Sequence, residues 1–192
     1  HGVGASVVNA LSEWLEVTIK VDGKGYNQRY ERGKVMYPLK EIGTCRKNDT
    51  GTSVQFKPDV EIFEKTYFKA DAIKSRLHET AYLNPNLKII FENKRFSEEE
   101  KIEFHEEDGI KAYVKHLNNG KDVLHNVVYF KRESEGIEVE AAFQFVDEFQ
   151  ENILGFCNNI YTQEGGTHLT GFKAKFTTVI NQYARELGIL KE

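Results

Sequence analysis

The sequence is poor in the residues that usually announce a metal, a cofactor or an oxidising compartment. Its 2 cysteines, Cys45 and Cys157, lie far apart and share no metal-ligand spacing with the 6 histidines. A structural zinc site and a disulfide framework are both disfavoured, and a reduced, cytoplasmic setting fits best. No apolar run approaches the ~20 residues that span a bilayer, so no membrane role is expected. No stretch has the pattern of a signal peptide. The motifs H-E-x-x-H, paired C-x-x-C, G-x-S-x-G and a complete Walker loop are missing, and no histidine stands where it would serve a nucleophile as base. Carboxylates are plentiful, but their neighbours mark them as a solvated face, and none is nominated as a general base.

What is present is ordinary for a soluble globular chain. Hydrophobic residues make up 40% and charged residues 29% of 192, enough for one domain or two small ones with a buried core. A net charge of −4 argues against a generally basic coat for nucleic acid, while leaving room for a local basic patch. There is no low-complexity tract and no repeat at solenoid period.

The chain opens on His1-Gly2-Val3-Gly4-Ala5-Ser6-Val7-Val8-Asn9-Ala10-Leu11-Ser12-Glu13-Trp14. Two glycines run into a helical pattern in which Val7 or Val8, Leu11 and Trp14 or Leu15 share one side. The free N–H groups of such a helix start can cradle an anion, phosphate above all. The helix dipole adds about 0.3–1 kcal/mol to that, so directed hydrogen bonds from the glycine backbone must supply the rest. A plain Gly-rich turn before a helix accounts for the same residues.

Further along, Leu15, Val17, Ile19 and Val21 alternate with polar residues as a half-buried strand, and Asp22-Gly23 turns it into a second strand around Tyr26, Gln28 and Tyr30. A third strand is expected over Val35 to Ile42, a loop at Cys45 to Asp49, and a strand over Gly51 to Pro58 with Val54 and Phe56 facing inward. Asp71 is placed to cap a helix that runs to Leu83 and stops at Asn84-Pro85. Leu87 to Phe91 and Ile102 to Phe104 suggest strands around the acidic linker Ser97-Glu98-Glu99-Glu100, to which no chemistry is assigned.

A domain boundary is drawn at Asp108-Gly109. Beyond it, Ile110, Tyr113, Val114 and Leu117 make a clean amphipathic helix that Asn118-Asn119-Gly120 ends. Val127 to Lys131, Ile137 to Phe145 and Glu151 to Ile160 are expected as three strands of one sheet. Gly165-Gly166 then bends the chain, Thr167 caps, and Leu169 to Leu187 form the stripe of a long helix. The whole is an α+β arrangement.

Two strings make the sequence resemble a known family. HGVGASVVNALS at the start, together with Asn158-Asn159-Ile160 and Glu164-Gly165-Gly166-Thr167-His168-Leu169-Thr170-Gly171-Phe172, resembles the ATP lid and transducer signatures of the GHKL ATPases in their bacterial type II DNA topoisomerase form, the B subunits of DNA gyrase and topoisomerase IV. The resemblance implies residues 1–107 as the C-terminal part of a GHKL (Bergerat) ATPase sheet. Residues 108–192 would then be most of a ribosomal-protein-like α/β transducer. His1, Gly2, Val3 and Gly4 would face ATP from the lid, and Thr52, in the family's TGT position, would lie by the base. For Thr52 alone, a strand-end residue chosen for β propensity is an equal reading. Lys173, immediately after the Gly-Phe pair, matches the family's basic residue facing DNA; solvated surface charge is its plainer alternative. Gly165-Gly166-Thr167-His168 is best taken as a tight turn with a cap, and no proton transfer is assigned to His168.

The resemblance further implies a segment of a longer, ATP-dependent topoisomerase subunit, DNA gyrase B before topoisomerase IV B. Its partners would be DNA and the A subunit in an A2B2 complex, and the B subunits would dimerise on binding ATP. The family's water-activating glutamate, magnesium-binding asparagine and adenine-reading aspartate lie upstream of the lid, and a phosphate-contacting lysine lies downstream, so Mg2+ has no ligand in this sequence. The reading from another class is a noncatalytic α+β interaction module.

Overall fold

The computed structural model describes residues 2–95 and 100–190. The chain divides into two compact units, His1–Lys69 and Ala70–Glu192.

The first unit begins with α1, Gly4–Ala10, and continues as β1, Ser12–Val21; β2, Lys24–Glu31; β3, Lys34–Val35; β4, Lys40–Thr44; and β5, Gly51–Pro58. The strands form one antiparallel sheet in the order β3-β2-β1-β5, with β4 also on β2. Its two hairpins use Asp22-Gly23 and Arg32-Gly33, all four with positive φ (52°, 79°, 49° and 77°), the backbone of type I′ turns whose twist matches that of the strands. Leu15 is buried and pairs with both Tyr30 and Phe56, so the alternation in β1 does put its apolar side against neighbours. The opposite side carries a polar network. Buried Asn27 donates to Glu16 and to Thr18, at 3.0 Å each, and accepts from the Tyr37 hydroxyl.

Three expectations are corrected in this unit. The first helix stops at Ala10, and Trp14 and Leu15 belong to β1, where strand partners on both sides outcompete helical spacing. The strand expected over Val35 to Ile42 is split into β3 and β4 around Pro38, which has no N–H for a ladder. Val54 and Phe56 are exposed, and Phe56 meets the edge of Phe68 at 5.9 Å.

The second unit contains α2, Ala70–Leu83; β6, Ile89–Asn93; β7, Glu100–Phe104; and α3, Ile110–Leu117. It continues through β8, Val128–Ser134; β9, Ile137–Phe143; β10, Phe156–Cys157; β11, Ile160–Tyr161; and α4, Thr167–Glu186. Ala81 from α2 closes on Phe91 and Phe104 of the β6–β7 hairpin, with Ile73, Leu77 and Ile102 around them. The Tyr82 and Tyr113 rings stack at 4.8 Å, tying α2 to α3. Burial pushes the Tyr82 phenol up to about 12, with the Glu106 carboxylate adding to the effect. The boundary drawn at Asp108-Gly109 therefore falls inside this unit. Asp71 lies within the first turn of α2 instead of capping it, and Gly166, not Thr167, is the residue before α4, with no side-chain cap. The single sheet expected from three strands is replaced by two separate hairpins, β8–β9 and β10–β11, because Asn158-Asn159 turn the chain in the middle of the span expected to be straight. Of the acidic linker, 97–99 lie outside the described residues and Glu100 begins β7, paired with Lys74 at 2.9 Å.

Candidate functional site

At the start of α1, Gly2 has φ +90°, a conformation that L side chains rarely adopt, and Val3 precedes the helix with no side-chain cap. The first helical hydrogen bond runs from Val7 N to Val3 O, 2.9 Å, which leaves the N–H groups of Gly4, Ala5 and Ser6 without acceptors in the helix. No acidic residue sits in that first turn, and a Cβ added at Gly2 or Gly4 would meet nothing within 4 Å. Among the described residues these three N–H groups have no backbone acceptor, and Gly4, Ala5 and Ser6 are exposed, an arrangement that suits a phosphate group. His1 lies outside the described residues.

The other end of α1 is locked down. Ser12 donates to Val8 O at 2.6 Å, and the Asp59 N–H donates to Leu11 O at 3.1 Å. Asp59 is 1% exposed and binds Arg32 Nε at 2.7 Å and the Glu61 N–H at 2.9 Å. The Glu61 N–H and the Arg32 guanidinium hold its carboxyl below the usual carboxylate range against the opposing effect of burial. Thr52 stands on the same sheet, opposite Ile19, seven residues along β1 from Ser12. The strand rise makes that separation about 23 Å. Asn9 Oδ1 is buried without a hydrogen-bond partner among the described residues, an acceptor that calls for a donor and not for a phosphate.

In the second unit the two remaining motif strings converge on one feature. Asn158 and Asn159 (φ 49° and 61°) form the two-residue turn between β10 and β11. At the base of this hairpin the Thr162 hydroxyl and N–H both donate to Gly155 O at 2.9 Å, and Thr162 Oγ1 lies 3.1 Å from His168 Nε2. Gly166 is needed there because a Cβ would come within 2.8 Å of the His168 ring. The Gly-Gly-Thr-His string thus serves as a joint between hairpin and helix. Lys173, one turn further, is half exposed and binds Glu151 at 2.5 Å. Sequence reasoning missed Asn84, whose Oδ1 accepts from Asn159 Nδ2 at 2.9 Å.

Among the described residues no cluster of three or more His, Cys, Asp or Glu side chains could hold a metal ion. No helix among them is long and apolar enough to cross a membrane.

The DNA gyrase B family model matches residues 109–192. The B subunit of DNA topoisomerase 4 from Streptococcus pneumoniae is 51% identical over 193 aligned positions, covering 100% of this chain and 30% of that protein. The Enterococcus faecalis counterpart is 50% identical, over 100% of this chain and 28% of its own length. The chain thus spans less than a third of the curated relatives it matches. Among solved structures, the 43K ATPase domain of Thermus thermophilus gyrase B, in complex with an aminocoumarin, superposes with a TM-score of 0.83 at 40% identity, covering 100% of this chain and 52% of that one. The topoisomerase IV ATP binding domain of Francisella tularensis gives 0.79 at 31% identity, over 96% and 50% respectively. With half of its residues identical along its full length, and both motif strings placed where the fold uses them, the chain belongs to the type II DNA topoisomerase B subunits, the family of gyrase B and topoisomerase IV B.

Proposed function

We propose that this chain is the part of a cytoplasmic, ATP-dependent type II DNA topoisomerase B subunit that joins one edge of the nucleotide site to the DNA-facing machinery. Residues 1–107 belong to the ATPase side and 108–192 to the transducer. The observation that carries this reading is the open row of N–H donors at Gly4, Ala5 and Ser6, behind Gly2, in a chain whose gyrase B neighbour is an ATPase domain. His1, Gly2, Val3 and Gly4 contact ATP from the lid, Thr52 lies by its base, and Lys173 faces DNA. When bound, ATP supplies the phosphoryl group whose transfer drives strand passage. The chain's own share is to bind and orient its phosphates through backbone donors. Mg2+ is held by residues outside this sequence. The partners are DNA, the A subunit in an A2B2 complex, and a second B subunit on binding ATP. DNA gyrase B is the first reading of the parent. Topoisomerase IV B is the second, favoured by the relatives at 50 and 51% identity.

The test is the full-length subunit reconstituted with its A subunit. ATP-dependent supercoiling of relaxed plasmid identifies a gyrase, decatenation without supercoiling identifies topoisomerase IV, and neither activity refutes the proposal. The 192-residue chain by itself is expected to hydrolyse no ATP, because electrostatic positioning of the transferred phosphoryl group needs the metal and its ligands. Magnesium-dependent turnover that follows this polypeptide through purification would contradict that expectation.

A further inference from the structure

We propose that the β10–β11 hairpin is a brace linking the C-terminus of α2 to the N-terminus of α4, with Asn84 and Asn159 as its positioning pair. At one end His168 and Thr162 fasten the hairpin's base to the start of α4, and Gly155 packs so closely under Leu169 that a Cβ there would lie 2.6 Å from Leu169 Cδ1. At the other end Asn159 Nδ2 donates to Asn84 Oδ1 at 2.9 Å. Asn84 Nδ2 in turn donates to Thr80 O at 2.8 Å, one of the carbonyls that the last turn of α2 leaves without a helical partner. One amide thus closes the helix end with its nitrogen and receives the hairpin with its oxygen.

The rest of the corner holds this arrangement in place. Gly109 lies against Pro85, where a Cβ would come within 2.9 Å of the proline ring, and the Phe156 and Tyr161 rings pack at 5.5 Å across the hairpin. A two-residue turn with both φ values positive accepts Asn or Gly at either position. The turn explains an Asn-Asn pair only as one of several choices, whereas the Asn84 contact needs a side-chain amide donor at 159. On the reading proposed above, α2 lies on the nucleotide side of the 107/108 boundary and α4 on the DNA side. The brace then carries displacement between them, and that use rests on that reading.

Asn159→Gly is the informative variant, because glycine keeps the turn and removes only the amide. In the 192-residue chain, amide hydrogen exchange at Tyr82, Leu83 and Asn84 is expected to rise about three- to tenfold in N159G while the β10–β11 amides stay protected. Asn84→Asp, which keeps the acceptor for Asn159, should raise exchange at Tyr82 and Leu83 less than Asn84→Ala, which removes both bonds of that side chain. Exchange that changes only within the hairpin, or nowhere, overturns the brace. In the full-length subunit with its A subunit, N159G should lower strand passage per ATP hydrolysed about threefold or more, with DNA-free hydrolysis unchanged. An unchanged ratio overturns the coupling. A parent that never hydrolyses ATP refutes the topoisomerase reading instead, and the exchange signature still decides the brace.

Discussion

At the scale of single residues, Asp59 is the strongest polar anchor of the first unit, since it is buried, bonded to Arg32 and fixed to the backbone beside the end of α1. Its carboxyl is held below the ordinary 3.8, so the folded protein releases this proton more readily than the unfolded chain does. The stability it contributes is complete above the unfolded value and is lost as pH falls through the lower, folded one. Thermal unfolding followed from neutral pH down to acid should show a steep loss below about pH 4 in the native protein, and a shallower one in D59N. Gly155 is a second sharp case. Gly155→Ala would force its methyl into Leu169 and should cost about 1–3 kcal/mol in urea unfolding, and the L169A background should remove most of that penalty. Lys173 makes a conditional prediction. Its ammonium is engaged by Glu151, so contact with a phosphate exchanges one anion for another. In the full-length subunit, K173A should reduce the slope of log affinity for DNA against log salt by about 1.

Among the elements, the small core of the second unit rests on two aromatic rings from one hairpin beneath one helix. Phe104→Ala removes a ring packed against Ala81 and Phe91 and should destabilise the chain by about 3–5 kcal/mol, read as a shifted urea midpoint with unchanged slope. Most helices and hairpins were legible in the sequence, because a polar residue followed by glycine, or a proline after asparagine, fixes backbone geometry locally. Where local signals overlapped, the outcome depended on distant partners. Leu11 to Leu15 satisfy both helical and strand spacing, and from Ser12 onward the chain is strand because β2 and β5 flank it, with Leu11 left to cap α1. The span Glu151 to Ile160 had the apolar content of a strand, but Asn158-Asn159 and the tight packing of Gly155 were the stronger constraints. The glycines that open the chain could be recognised from their order along it. The Asn84–Asn159 bond could not, since its partners are 75 residues apart in the chain and the signals around each concern only its own turn.

For the whole molecule, few hydrophobic side chains are buried in either unit. Only Leu15, Ala81, Tyr82, Phe91 and Phe104 are buried hydrophobics among the described residues, while Val54, Val60, Phe68, Phe130 and Phe145 stand open. The chain by itself should bind a dye specific for apolar surface and self-associate with rising concentration, which light scattering across a dilution series will show. A monodisperse, dye-silent monomer would contradict that surface.

The sheet order of the first unit also sets a sequence in time. β1 is joined to β2 by a two-residue turn and can zip against it at once, but its other neighbour, β5, arrives only after the intervening segment 22–50. Closing that longer loop costs entropy before any ladder bond repays it. Until then β1 carries one bare edge, with the Arg32–Asp59 pair unformed, so a newly made chain is most vulnerable to wrong pairing in the interval between the synthesis of Val21 and that of Pro58.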